Sequence, residues 1–282
     1  MSETEGQRPV LSVRDLSVTF AAKAGAFNAI DGVSFDLARG EILALVGESG
    51  SGKSMTSLSI MQLLPEAAQM RGRIEIDGQD VTALGRRQME DVRGARIGMI
   101  FQEPMTSLNP VLTINRQMTE GLLRHQRLSR REATAQALAC LEEVGIAEPD
   151  RVMAQYPHQL SGGMRQRVMI AAALALRPGI LIADEPTTAL DVTVQSQVLD
   201  LLVDLKLRSG SGILLITHDI GVVAETADRV AVMRQGRILE TGTVDAVLGA
   251  PQHAYTRSLL ASHLTVEKGL MRHRSEREGA DA

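Results

Sequence analysis

The sequence predicts an α/β chain: a largely parallel sheet lies between helices and is interrupted by a mostly helical insertion. Three observations carry that reading. Residues 42–46 (ILALV) and 180–183 (ILIA) are continuously apolar, as strands buried on both faces are. The first runs into a turn of glycine and serine and then into a helical stretch, the order expected of parallel α/β units. From Thr113 to Leu176, strand patterns vanish and helical ones dominate.

Taken in order, residues 11–20 place Leu11, Val13, Leu16, Val18 and Phe20 in roughly alternating positions, a strand with one irregularity. Val33, Phe35 and Leu37 share one face of a second strand, which ends at Arg39-Gly40. After ILALV comes a helix predicted over Ser54–Leu64 and closed by Pro65. Asp77-Gly78 marks a hairpin turn after Arg73–Ile76, and IGMIF (97–101) is the next strand. In the helical part, Ala133, Ala137, Leu138 and Leu141 lie on one face. Core patterns return with Ile180–Ala183, a helix over Val194–Leu207, a strand over Ile213–Thr217, and a hairpin of Val230–Met233 and Arg237–Glu240 around Gln235-Gly236. Beyond Leu264 the chain turns polar. These boundaries divide it into a first core part (1–102), a helical subdomain (103–167), a second core part (168–264) and a polar tail (265–282).

Composition narrows the function. Of 282 residues, 30 are Lys or Arg and 34 Asp or Glu, a net charge of −4, which argues against a bulk nucleic-acid binder. A hydrophobic fraction of 44% supports an ordinary core. Aromatics at 2% discourage ligand binding by stacking. The single cysteine, Cys140, excludes an intrachain disulfide and sites of several thiolates. The most apolar stretch, Val168–Leu176, falls short of the roughly 18–20 residues a membrane-spanning helix needs. The N-terminal residues lack the apolar core of a secretory signal, so the expected compartment is the cytoplasm.

Three motifs point to nucleotide chemistry. Residues 47–54 read GESGSGKS and match G-x-x-x-x-G-K-[ST]. In it Gly47, Gly50 and Gly52 let the backbone curl through Glu48, Ser49 and Ser51, so that several N–H groups face one anion. The following helix adds its positive N-terminal end. Lys53 can reach β- and γ-phosphates, and the Ser54 hydroxyl suits Mg²⁺. The second motif is ILIADE (180–185). It places Asp184 at the C-terminal edge of a strand, where it would hold Mg²⁺ through water, while Glu185 would serve as base for an attacking water. The third, LSGGMRQR (160–167), exposes Ser161, Gly162 and Gly163 at the start of a helix over 164–176, a second anion-binding helix end in one chain.

With these motifs in this order the sequence resembles the nucleotide-binding subunit of an ATP-binding-cassette (ABC) transporter. The resemblance covers about 11–264 and includes Gln102 after IGMIF, Ala189-Leu190-Asp191 and His218 in LLITHD. It implies the ABC form of the P-loop NTPase fold, a RecA-like core with an antiparallel β subdomain and an inserted helical subdomain, with ATP and Mg²⁺ as ligands. Gln102 would contact Mg²⁺ or the water and sense a membrane partner. His218 would hydrogen-bond the γ-phosphate and position Glu185. Asp191 would act across a subunit interface, cap the helix after it, or do both. Two ATPase subunits, identical or paralogous, would pack head to tail with each ATP between one subunit's phosphate loop and the other's Ser161.

FQEPMTSLNP (101–110), LSGGM and HAYTRSLL (253–260) resemble the peptide/nickel branch of importers, with Ala254 where that branch has proline. The implied partners are two integral membrane permease subunits and, through them, an extracytoplasmic solute-binding protein, with this chain peripheral on the cytoplasmic face of the inner membrane. Peptides are the favoured solute, with glutathione, opines and nickel chelates open. Many members carry a C-terminal cysteine cluster that binds iron–sulfur; with one cysteine, none is expected here. Adenine usually stacks on an aromatic residue near the first strand. Phe20 and Phe27 are the candidates, and Phe20 serves equally as core. The rival reading is a soluble ABC ATPase acting in DNA repair or on ribosomes, and the chain lacks the second cassette, zinc cysteines and basic surface usual there. Cys140 reads as a small buried residue, Arg86-Arg87 and Arg130-Arg131 as solvated faces, and most of the 13 methionines as core filler. Glu103, Pro104 and Met105 fall where a membrane partner would dock.

Overall fold

The computed structural model describes residues 8–22, 25–103, 107–187 and 192–262. The chain enters through an antiparallel hairpin, β1 (Leu11–Ala22) and β2 (Gly25–Leu37), then β3 (Ile42–Val46) and helix α1 (Lys53–Ile60). Strands β4 (Ala68–Ile76) and β5 (Gln79–Asp80), helix α2 (Arg86–Val92) and β6 (Ile97–Ile100) complete the first part. The helical region holds α3 (Ile114–His125), α4 (Arg130–Glu143), α5 (Pro149–Ala154) and α6 (Gly162–Leu174). The chain then alternates β7 (Ile180–Asp184), α7 (Val192–Ser209), β8 (Gly212–Ile216), α8 (Ile220–Thr226), β9 (Arg229–Arg234), β10 (Arg237–Thr243) and α9 (Val244–Gly249), with a helix α10 over 254–262.

Two sheets result. One is antiparallel, in the order β2-β1-β4-β5; the other runs β10-β9-β3-β8-β7-β6 and is parallel except for its β10 edge. The irregularity expected in the first strand is present as register shifts between Val13 and Thr19. Every residue of β3, β7 and β8 is buried, which is why their sequences run apolar without alternation. Side chains still alternate between the two faces. Leu43, Leu45, Ile180 and Ile182 pack toward the antiparallel sheet with Leu11, Val13 and Ile74. Leu181, Ala183, Ile213 and Leu215 pack toward the helices with Ile114, Leu141, Val168 and Val198. Ala133, Ala137 and Leu141 are fully buried, as their spacing implies, and Cys140 joins them at 8% exposure.

Several boundaries differ from expectation, each for a local reason. Helix α1 stops at Ile60, short of Leu64, because Gln62 adopts a left-handed backbone (φ 50°). Leu63 N–H then bonds to Leu58 O at 2.8 Å and Gln62 N–H to Ser59 O at 3.0 Å, a Schellman closure. β2 starts at Gly25 rather than near Val33; its first half is mostly exposed and carries no apolar alternation. α6 begins at Gly162, since Ser161 caps it by accepting Met164 N–H. It runs unbroken to Leu174, across the expected division at 167/168. No helix among the described residues is long and apolar enough to cross a membrane.

Candidate functional site

The loop between β3 and α1 owes its shape to what lies behind it. Gly47 has φ 154°, and a Cβ there would sit 2.1 Å from the Met233 carbonyl oxygen at the end of β9. Gly52 (φ 108°) backs on the Ala29 carbonyl, with only 2.7 Å for a Cβ. Side chains are therefore excluded by neighbouring backbone at both ends of the loop. The β9–β10 turn adds a bond from Gly236 N–H to Ser51 O (2.9 Å). Within the loop the Lys53 ammonium donates to Gly47 O (2.6 Å) and Glu48 O (3.1 Å). Burial lowers the Lys53 pKa, while Glu185 and Asp184 pull it back up. The Ser51 hydroxyl is buried and has no hydrogen-bond partner, an orphaned polar atom inside the curl.

The acidic pair stands at the C-terminal edge of β7, beside this loop, where parallel sheets bind ligands. Asp184 is 4% exposed and accepts from Ser54 Oγ and from Ser57 Oγ, both at 3.3 Å. Burial raises its pKa, and the two hydroxyls oppose that rise. Glu185 leaves the strand with a left-handed backbone (φ 51°) while its N–H holds Ile216 O at 2.8 Å. This turn aims its carboxylate along the sheet edge, where His218 Nδ1 lies 2.8 Å from both carboxylate oxygens. The structure thus brings His218 and Glu185, two of the residues singled out in the sequence, into direct contact.

A cavity of about 720 Å³ gathers Ser49 to Ser54, Gln102, Glu185, His218, Phe20 and Phe27. The register of β1 and β2 sets Phe20 directly opposite Phe27, so both rings face the same way. Phe27 is 62% exposed; Phe20 is half-buried, packing against the core while also lining the cavity. Ser57 was missed from sequence, although its position one helical turn after Ser54 offered a signal.

Ser161 and Gly163 are not in this cavity. They line a separate one of about 540 Å³ with Gly145, Glu148, Arg151 and Arg167. Neither Gly162 nor Gly163 would crowd anything with a Cβ, since open space surrounds both. The signature helix is nevertheless tied to the acidic strand: the buried Gln166 amide donates to Pro186 O, one residue past Glu185. Asp191 with Ala189 and Leu190, the docking candidates Pro104 and Met105, and the tail 265–282 lie outside the described residues. Arg86, Arg87, Arg130 and Arg131 are exposed, as expected of solvated faces.

A glycine-rich loop opening a helix, a strand-end acid bonded to the serine that follows its lysine, and a glutamate–histidine pair at the same cavity are the geometry of a nucleotide-hydrolysing cassette. The family model described as ABC transporter matches residues 30–188, more than half of the chain. The chain belongs to this family. It is 58% identical over 264 residues to the peptidoglycan transport ATP-binding protein YejF of Agrobacterium fabrum, covering 93% of this chain and 48% of that protein. With the oligopeptide transport ATP-binding protein OppD of Bacillus subtilis it shares 53% identity over 260 residues, 92% of this chain and 73% of the relative. The chain therefore spans about half the length of the first relative and nearly three quarters of the second. Among solved structures, the dimeric post-hydrolysis state of the ATP-binding cassette MJ0796, bound to ADP and Pi, superposes with a TM-score of 0.76 at 30% identity. That match covers 83% of this chain and 98% of the cassette. The expected ABC fold is thereby shown.

Proposed function

We propose that this chain is the ATP-binding and ATP-hydrolysing subunit of an importer, working at the cytoplasmic face of the membrane on two separate permease subunits. Peptides or a related small solute, delivered by an extracytoplasmic binding protein, are the cargo. The observation that carries the reading is the single cavity holding Lys53, Ser54, Gln102, Glu185 and His218, with Asp184 beneath Ser54. The names of the relatives, one for oligopeptide and one for peptidoglycan transport, support the solute class.

The residues fit ATP. Curled backbone N–H groups, the orphaned Ser51 hydroxyl and Lys53 receive the phosphates. As phosphate enters, the Lys53 ammonium exchanges the Gly47 and Glu48 carbonyls for phosphate oxygens. Phe20 and Phe27 offer an apolar platform for the base. Ser54, Asp184 and Gln102 are oxygen donors of the kind Mg²⁺ takes, and the ion, when bound, offsets charge on the β- and γ-phosphates. Glu185 accepts the proton of the attacking water, and His218 holds the carboxylate in line.

One chain provides half of what the reaction needs. Gly162 and Gly163 open α6, and a glycine held in helical backbone gives up more conformational freedom than alanine would. Among the described residues nothing requires Gly162 or Gly163 to be bare. Their small size serves an approach from outside, by the nucleotide held on a second ATPase subunit, with Ser161 donating to its γ-phosphate. Glu185→Gln, assembled with the membrane subunits, is expected to keep ATP binding, lose turnover and trap the closed dimer. Unchanged ATPase activity in that variant overturns the assignment.

A further inference from the structure

Resting on the reading of residues 47–54 as the ATP site, we propose that Tyr255 is a positioning residue for the phosphate loop. It holds the Glu48 end in the shape that grips nucleotide. None of the roles above uses this residue. It lies in α10, late in the chain, yet its hydroxyl accepts the Glu48 backbone N–H at 3.3 Å. Tyr255 is only 6% exposed, and a tyrosine buried to that degree seeks a partner for its oxygen. The loop provides it.

The ring is fixed from the other side. The Arg234 guanidinium sits 4.5 Å from its centroid, within cation–π range. Arg234 ends β9, directly after Met233, whose carbonyl walls off Gly47. The start of α10 is itself clamped. The Glu240 carboxylate accepts Gln252 N–H (2.7 Å) and His253 N–H (3.0 Å), and His253 Nδ1 accepts Tyr255 N–H (3.0 Å). A continuous set of contacts thus runs from β10 through Tyr255 to the loop.

The bond matters because of what Glu48 does next. Its carbonyl accepts both Ser51 N–H (3.2 Å) and the Lys53 ammonium (3.1 Å). The N–H that Tyr255 holds belongs to the Gly47–Glu48 peptide, whose own carbonyl accepts the Lys53 ammonium at 2.6 Å, so Glu48 is held through the peptides on both its sides and the first turn of the loop with it. The N–H groups that follow are left converged on the phosphate position, and a looser loop would pay ordering entropy on each binding event.

The test titrates MgATP on the chain for Kd and measures steady-state kcat and KM in the assembled transporter. Tyr255→Phe keeps the ring and removes the oxygen. It is expected to raise Kd and KM about three- to tenfold, with kcat within about twofold and the nucleotide-free Tm nearly unchanged. Unchanged Kd and KM overturn the proposal. So does a fall in Tm and apparent kcat at constant KM, which marks a purely structural role. Arg234→Gln frees the ring but keeps the hydroxyl and is expected to shift Kd in the same direction by less; a larger shift overturns the hydroxyl as the carrier. Lys53→Ala separates this inference from the reading beneath it. If the native chain binds no MgATP, or Lys53→Ala binds it equally well, both fall. If Lys53→Ala loses binding and Tyr255→Phe does not, only the role of Tyr255 falls.

Discussion

Two helix N-termini in this chain read alike in sequence, and the structure separates them. At α1 the glycines are required by the chain's own backbone: Met233 O stands behind Gly47 and Ala29 O behind Gly52. At α6 the glycines Gly162 and Gly163 face open space. The first site gathers its lysine, Glu185 and its histidine in one cavity, with Asp184 bonded to Ser54 beside it. The second has a serine cap and two bare positions but no acid, lysine or histidine of the hydrolytic set in its cavity. A glycine explained by its neighbours is part of a fold; a glycine left unexplained by them points to a visitor.

The largest expected effect tests the complete site. Glu185→Gln should lower ATP turnover by about 10²–10⁴-fold, the usual worth of a positioned general base, with ATP affinity retained. An equal loss of affinity would instead make Glu185 a binding group. Next, Ser161→Ala should leave ATP binding to the isolated chain unchanged and cut turnover of the assembled transporter about ten- to a hundredfold, as losing a hydrogen bond to a charged group does. A drop in binding by the isolated chain would place Ser161 at its own nucleotide and erase the contrast.

Gly162→Ala and Gly163→Ala make the contrast quantitative. Each should stabilise the isolated chain by up to about 1 kcal/mol in denaturant unfolding and still reduce assembled turnover. Gly47→Ala, by contrast, should destabilise even the isolated chain.

A smaller effect lies in the pH dependence of stability. Burial raises the Asp184 pKa above its unfolded value. Between those two values the folded chain keeps a proton that the unfolded chain has lost. Stability therefore falls as pH rises through that window. Tm measured against pH without metal should show this fall in the native chain and lack it in Asp184→Asn. Smallest of all, burial pushes the Cys140 thiol up to about 11, so a thiol reagent at neutral pH should label it only after unfolding.

Much of the site could be read from sequence because its determinants are contiguous. GESGSGKS carries its glycines, lysine and serine in one stretch, and ILALV and ILIAD announce strands buried on both faces. What escaped depended on groups distant in the chain. The end of α1 is set by a left-handed Gln62, a conformation no composition rule assigns to glutamine. The first half of β2 is exposed on most positions, so its pairing with β1 left no apolar alternation to find. Ser57 carries its role only because β7 brings Asp184 against α1. Tyr255 lies within HAYTRSLL, yet its contact with Glu48 is purely tertiary and leaves no trace in that motif.

The wall behind Gly47 has a consequence for how the protein is made. The phosphate loop leaves the ribosome well before Met233, Gly236 and Tyr255, which brace it from far along the chain. Contacts of such separation form late, since the chain must close a long loop before they reward it. A nascent chain that already displays Lys53 and Glu185 therefore lacks a finished grip on nucleotide. Only a chain extended past Tyr255 gains it, so tight ATP binding reports that this bracing segment has arrived and folded.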